Sequence, residues 1–161
     1  MAIGKADYRD EELGLAYEDF EVGQMFRHRP GRTISEVDNT WFSLLTLNAH
    51  PLHIDAAFAS HHEFGRLTVN SCLTLSIIVG MSVRDISQRA IANLGWNDIR
   101  LTHPVFVGDT LYASSTILAK RESQKRPEAG IVTVRTIGET AAGDQVISFE
   151  RTMLLAKRTC T

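Results

Sequence analysis

Eight consecutive residues, Asn48–Asp55, hold most of the side chains in this sequence that could carry out chemistry. They include two imidazoles, His50 and His53, on a segment that Pro51 stiffens. An imidazole exchanges a proton near neutral pH, because its unperturbed pKa is about 6.5. The carboxamide of Asn48 can hold a water or a carbonyl group in a fixed position. The segment therefore predicts general acid–base chemistry, although each histidine alone would fit an ordinary surface loop.

A second chemical feature lies at the start of the uncharged, apolar run Asn70–Val83. Apolar residues point in nearly every direction around a helix with this sequence, which predicts a helix that is buried on most sides. Asn70 or Ser71 can cap its first turn with a side-chain oxygen. The free N–H groups at such a helix start carry partial positive charge and can stabilise an oxyanion. The run is shorter than the roughly 20 apolar residues that a bilayer-spanning helix needs.

The elements that position these groups begin with a weak strand over residues 26–34, where Pro30 predicts an edge or a bulge. Ser35–Asp38 is a capping box and predicts a helix start. The apolar residues after it are spaced for one helical face: Trp41, Phe42, Leu44, Leu45 and Leu47. Residues 48–53 are predicted as a tight loop, and Asp55 is predicted to cap a short helix that ends near Ser60.

The second half of the chain predicts β-strands. Apolar residues alternate over residues 90–107, 110–120, 131–140 and 145–155. The turn signals Gly108-Asp109 and Ala142–Asp144 separate them. Early helices followed by a meander of long strands favour an α+β domain, with one antiparallel sheet packed against the central helix.

The bulk properties limit the possible partners. A chain of 161 residues fits one domain, which we place at residues 18–161 after an N-terminal arm of residues 1–17. A net charge of −2 predicts neither nucleic acid nor a membrane as a partner. The two cysteines form no disulfide framework or metal cluster, so no metal site is expected, and Cys72 is predicted to pack in the core. The N-terminus lacks an apolar signal core, which predicts a cytoplasmic protein.

Two blocks of the sequence resemble the MaoC-like dehydratases, which are the (R)-specific enoyl-CoA hydratases of the hot-dog fold. The family signature D-x-N-P-x-H is similar to Asn48–His53, and the family's P-V-F-x-G-D matches Pro104–Asp109. The resemblance covers about residues 18–157. It implies a single hot-dog domain, in which a curved antiparallel sheet wraps a long central helix. It also implies a homodimer or a dimer-based higher oligomer, with acyl-CoA bound at the dimer interface.

The resemblance assigns catalytic roles to three residues at matching positions. His53 matches the signature histidine and would take a proton from water, while Asn48 stands where the family has aspartate and would orient that water. Ser71 occupies the position whose backbone N–H polarises the thioester carbonyl. His50 and Asn70 are expected to bind substrate. No cofactor is implied, because CoA is part of the substrate.

The implied activity is that of a hydro-lyase, which adds water reversibly to the double bond of a 2-enoyl-CoA. Short branched or dicarboxylic acyl groups, of the mesaconyl- or itaconyl-CoA type, fit the resemblance best. An acyl-CoA thioesterase stays an alternative, although it would need a carboxylate near the helix start, where Glu63 and Asp55 are the nearest acids. A non-catalytic acyl-CoA-binding protein is the other alternative, since Asn48 cannot accept a proton as a carboxylate does.

Overall fold

A computed structural model of the chain describes residues 14–158. The first elements are a 3-10 turn (Tyr17–Asp19), β1 (Met25–Thr33), α1 (Glu36–Leu45), α2 (Pro51–Ile54), α3 (Ala56–Ser60) and α4 (Ser71–Ser82). A π-helical turn (Val83–Ser87) leads to β2 (Ala90–Leu101), β3 (Thr110–Glu122), β4 (Ala129–Thr140) and β5 (Gln145–Ala156). This order confirms the predicted α+β class. Most of the predicted arm, residues 1–13, lies outside the described residues.

The five strands form one antiparallel sheet in the order β1-β3-β4-β5-β2. β1 lies at one edge, and its register shifts between His28 and Arg32, where Pro30 lies, as predicted. β2 forms the other edge and ends at Leu101, earlier than the apolar pattern suggests. The residues after it, including His103, form a loop that reaches the start of α4.

The core lies between the sheet and α4, which packs against β1, β3 and β4. Leu73 and Ile78 of α4 share a buried cluster with Phe149 of β5. Gly138 of β4 makes this packing possible, since a Cβ there would lie 2.8 Å from side-chain atoms of Ile78 and Ile147. Among the described residues, no helix is long and apolar enough to cross a membrane. The cytoplasmic location stays a prediction.

One side of α4 remains at the surface of the single chain. Leu73 and Ile78 are buried, whereas Ser71, Cys72 and Gly80 are exposed. The expectation of a helix buried on most sides is therefore wrong for the monomer, and so is the core position expected for Cys72. The sheet covers only the side of the helix that faces it, and the other side carries mostly small residues.

The first helix, α1, turns most of its predicted inward face to the surface, although Phe42 of that face packs against the core. Its capping box is present, with Ser35 Oγ accepting from the N–H of Asp38 at 3.2 Å. However, its apolar residues are largely exposed, including Trp41 at 65% and Leu45 at 76%. The buried residues of α1 are instead polar, namely Asn39 and Ser43. They face inward because they bind backbone and side-chain groups at the start of α4.

Candidate active site

The candidate base, His53, lies in α2, a single helical turn within the segment predicted as a loop. Pro51 occupies the first turn, and His50 Nδ1 caps it by accepting from the N–H of Leu52 at 3.2 Å. His53 Nδ1 lies 2.9 Å from the backbone oxygen of Thr68. A carbonyl only accepts, so Nδ1 carries the proton and Nε2 presents its lone pair. Nε2 has no partner within residues 14–158 and is free to accept a proton.

The candidate oxyanion donor is the first N–H of α4. Asn70 caps the helix, with Oδ1 accepting from the N–H of Cys72 at 3.0 Å, which confirms the predicted cap. The N–H of Ser71 belongs to the first turn, where no intrahelical acceptor exists. It donates to no other residue of the part that the structure describes. The backbone of Ser71 therefore offers a donor to a bound group.

A short extended segment joins the candidate base to the candidate donor. The N–H of Thr68 donates to the carbonyl of Leu52 at 3.0 Å, and the N–H of Val69 donates to the carbonyl of Val105 at 2.8 Å. Thr68 thus bonds twice to the turn that holds His53, once through its N–H and once through its carbonyl. Three residues later the chain enters α4 at Ser71. The base and the donor are consequently held on one frame, which consists of the α2 turn and the segment Thr68–Ser71 that is hydrogen-bonded to it.

A cavity of about 390 Å³ opens at this frame. The residues that line it are Phe64, Thr68, Val69, Ser71, Thr74, Leu101, Thr102, His103, Pro104 and Val105. Four of them carry hydroxyl groups, and none of these described lining residues is acidic. The cavity therefore suits a short, partly polar group placed beside the free N–H of Ser71.

His53 and the two predicted site residues next to it, Asn48 and His50, do not line this cavity. Asn48 Oδ1 accepts from the backbone N–H of His50 at 3.2 Å. The ring centroids of His50 and His53 are 5.9 Å apart. The structure thus brings Asn48, His50 and His53 together, and the roles assigned to them stay predictions.

Asn70, which was predicted to bind substrate, is buried at the start of α4. Its side chain is 2% exposed. Its Oδ1 caps the helix, and its Nδ2 donates to Ser43 Oγ at 3.2 Å. Both ends of the amide are bound inside the chain, so Asn70 shapes the helix start, and its predicted contact with substrate stays a prediction.

A residue that the sequence analysis missed connects these parts. Asn39 of α1 accepts from the N–H of Asn70 at 2.9 Å through Oδ1. Its Nδ2 donates to the carbonyls of His53 at 3.0 Å and Thr68 at 3.1 Å. A signal was present, since Asn39 and Ser43 are four residues apart and form a polar pair on one face of a helix. The spacing of the apolar residues around them instead predicted that the opposite face of α1 points inward.

Neither of the two nearest acidic residues, Asp55 and Glu63, is placed to act on a group in the cavity. Asp55 Oδ1 accepts from the N–H of Phe58 at 3.0 Å, which confirms its predicted cap of α3. Glu63 is exposed and does not line the cavity. Within residues 14–158, no group of three or more histidine, cysteine or acidic side chains could hold a metal ion. The reactive groups that line the cavity are therefore the start of α4 and the imidazole of His103. His53 adjoins the cavity through its hydrogen bond to Thr68.

The family model of mesaconyl-CoA hydratase matches residues 2–161. This chain belongs to the mesaconyl-CoA hydratase family. A mesaconyl-CoA hydratase of Cereibacter sphaeroides is 33% identical over 145 residues, which cover 90% of this chain and 42% of that protein. A β-methylmalyl-CoA dehydratase of Chloroflexus aurantiacus is also 33% identical over 145 residues, with 41% of its length covered. This chain therefore spans less than half the length of these relatives.

Solved structures share the fold of this family member. A putative MaoC domain dehydratase from Chloroflexus aurantiacus has a TM-score of 0.87 at 31% identity, covering 94% of this chain and 43% of that chain. A Mycobacterium tuberculosis protein with a double hot-dog fold has a TM-score of 0.84 at 23% identity, covering 92% of this chain and 46% of its own. The predicted hot-dog fold and the predicted likeness to MaoC-like dehydratases are both confirmed.

Proposed function

We propose that this member of the mesaconyl-CoA hydratase family adds water reversibly to the double bond of a 2-enoyl-CoA. The observation that carries the proposal is the shared role of Thr68. Its carbonyl accepts from His53 Nδ1 at 2.9 Å, and both Thr68 and Ser71 line the same cavity. A base and an oxyanion donor on one frame are what hydration of an enoyl thioester requires. The relatives named as hydratase and dehydratase support the same chemistry.

In this mechanism His53 Nε2 takes a proton from water while the water oxygen bonds to C3 of the substrate. The electrons of the double bond move towards the thioester oxygen, which the N–H of Ser71 stabilises. A proton then reaches C2, delivered by His53 or by the neighbouring imidazole of His50. A positioned acid or base contributes about 10²–10⁴ in rate, and one oxyanion donor about 3–4 kcal/mol. Dehydration follows the same steps in reverse.

Asn48 would orient the water rather than accept its proton. Its Oδ1 already accepts from the N–H of His50 at 3.2 Å, so its Nδ2 is the group left to face a water oxygen. An amide cannot take a proton as a carboxylate does. The proton transfers therefore fall to the two imidazoles.

We place the substrate among short branched or dicarboxylic acyl-CoAs. The hydroxyl side chains of Thr68, Ser71, Thr74 and Thr102 border the cavity. Thr102 Oγ1 already donates to the carbonyl of Gln145, but a long alkyl chain would offer no hydrogen-bond partner to the hydroxyl groups of Ser71 and Thr74. A short acyl group with a carboxylate would accept hydrogen bonds from them. The family match to mesaconyl-CoA hydratase points the same way.

The test is to incubate the full chain with crotonyl-, mesaconyl- and itaconyl-CoA while following the enoyl absorbance and free thiol. Loss of the enoyl signal without thiol release is the expected result. Thiol release would show hydrolysis instead, and an unchanged signal with all three substrates would contradict the proposal. The His53→Ala variant serves as the control for a contaminating hydratase.

The two sheet edges differ in a way that favours a homodimer. β1 presents Arg27, Arg29, Pro30 and Arg32, and charges with a proline protect an edge from further pairing. β2 pairs with β5 and with no other described strand. Its exposed apolar residues are Ile91, Leu94, Trp96, Ile99 and Leu101. We therefore propose that two copies pair along β2, with acyl-CoA between them, and that sedimentation of the full chain gives twice the monomer mass.

A further inference from the structure

Asn39 occupies a position that its own chemistry makes unfavourable. It is 1% exposed and lies within α1, where asparagine has a poor helix propensity. A buried amide also loses its hydration, which is costly unless hydrogen bonds replace it. An apolar residue would suit this position better if packing were its only role.

The amide of Asn39 makes three hydrogen bonds, each to a different part of the proposed active site. Oδ1 accepts from the N–H of Asn70 at 2.9 Å, and Nδ2 donates to the carbonyls of His53 and Thr68 at 3.0 and 3.1 Å. The partners fix the orientation of the amide, since an N–H must face its oxygen and carbonyls must face its nitrogen. All three partners are backbone groups, so the contacts fix the relative positions of the backbone at His53, Thr68 and Asn70.

We propose that Asn39 is a positioning residue, whose single amide sets the distance and angle between His53 and the first N–H of α4. This inference rests on the proposed hydratase function. One bond reaches the residue that carries the base, and another reaches Asn70, which precedes Ser71. Catalytic groups must be held within about 0.5 Å of their productive geometry. A displacement of about 1 Å costs roughly 100-fold in rate.

The carbonyl of Thr68 is where Asn39 acts on the imidazole. This oxygen accepts from His53 Nδ1 at 2.9 Å and from Asn39 Nδ2 at 3.1 Å. Two donors on one oxygen fix the direction of that carbonyl and, with it, the plane and tautomer of the ring. Loss of the Asn39 donor would leave the Thr68 carbonyl free to tilt, and the ring would follow it.

The Asn39→Ala and Asn39→Asp variants separate this role from simple stabilisation of the fold. Alanine removes all three bonds. Aspartate keeps an acceptor for the N–H of Asn70, and its second oxygen, which burial keeps protonated, can donate to only one of the carbonyls of His53 and Thr68. The Ser115→Ala variant is the matched control: Ser115 is also 1% exposed and loses bonds to His28 and Thr136, and none of these three residues lines the cavity.

We expect Asn39→Ala to lower kcat about 100-fold while KM changes by less than about threefold. Asn39→Asp, which keeps one acceptor and regains one donor, should lower kcat less than Asn39→Ala does. Ser115→Ala should lower the midpoint of urea unfolding about as much as Asn39→Ala does. It should keep kcat within about threefold of the parent chain. A folded Asn39→Ala variant with parental kcat would overturn the proposal, and so would an equal loss of kcat in Ser115→Ala.

A second readout needs no activity. In ¹⁵N NMR of the histidine rings, His53 of the parent chain should show a single Nδ1–H tautomer. His50 supplies an internal reference of opposite type, because its Nδ1 accepts from the N–H of Leu52. Asn39→Ala should give a mixed His53 tautomer with His50 unchanged, and an unaltered His53 signal would contradict the positioning role. If the parent chain hydrates none of the test substrates, the proposed function fails while this measurement still decides the role of Asn39.

Discussion

At the scale of single residues, the two imidazoles of the site differ in which nitrogen is free. His53 donates from Nδ1 to the carbonyl of Thr68 and leaves Nε2 as an acceptor. His50 accepts at Nδ1 from the N–H of Leu52, so its Nε2 carries the proton. The pair thus offers one proton acceptor and one proton donor, which are the two groups that the proposed hydration uses.

Replacement of His53 by alanine should lower kcat several hundred-fold, because the water would lose its base. The half-buried ring packs against no core cluster among the described residues, so the melting temperature should change little. Steady-state kinetics with the best substrate and circular dichroism melts check both statements. Turnover close to that of the parent chain would rule out His53 as the base.

At the scale of elements, the start of α1 supports the site, because α1 carries Asn39. The carboxylate of Asp38 accepts from the N–H of Ser35 at 2.8 Å and from Arg32 Nη2 at 2.7 Å. The backbone and side-chain hydrogen bonds from Ser35, assisted by Arg32, hold the pKa of Asp38 below its ordinary value. The capping box is therefore stronger while Asp38 is ionised.

The Asp38→Asn variant should lose about 1 kcal/mol of stability at pH 7, as expected for a weakened cap. The folded-state pKa of Asp38 is lowered, so its stabilisation is complete above the ordinary value of 3.8 and disappears as pH falls through the folded value. Urea unfolding at neutral and acidic pH measures the difference between the variant and the parent. A difference that stays constant down to strongly acidic pH would refute the assignment.

The contact between α4 and β4 gives a second test at this scale. A Cβ on Gly138 would lie 2.8 Å from Ile78 and Ile147, so Gly138→Ala should cost about 1–3 kcal/mol through overpacking. A Cβ on Gly80, at the exposed side of α4, would meet no atom within 4 Å, which makes Gly80→Ala the matched control. Urea midpoints compare the two. Equal stability of both variants would show that α4 does not press on β4 as described.

At the scale of the whole molecule, the apolar surface is distributed unevenly. Trp96 and Leu94 on β2 are 41% and 53% exposed, at an edge that carries few charges. The opposite edge is lined with arginines. Exposed apolar residues on an unprotected strand favour pairing with another copy. If acyl-CoA binds between the two copies, substrate binding would require that the dimer forms.

A charged residue on this edge should therefore break the assembly. Leu94→Lys is expected to raise the dimer dissociation constant at least about tenfold, because a lysine would be desolvated in the interface. Met25→Lys is the control, since Met25 is 62% exposed on the protected edge. Sedimentation across a range of protein concentrations measures both. A parent chain that stays monomeric, or a Leu94→Lys chain as dimeric as the parent, would contradict the proposal.

The sequence alone determined the features that depend on neighbouring residues. The capping box at Ser35, the caps at Asp55 and Asn70 and the extent of α4 were all predicted, because each depends on contacts within a few residues. The family signature also pointed to the correct fold, since Asn48–His53 retains enough of the motif to be recognised.

Only the tertiary structure decided which side of each helix faces the site. Apolar spacing predicted an inward face for α1 at Trp41, yet the buried residues are Asn39 and Ser43. Periodicity reports where apolar side chains recur, but it does not show which distant backbone groups need partners. Asn39 and its partner Asn70 are 31 residues apart, and their hydrogen bond exists only once α1, α2 and α4 are packed together.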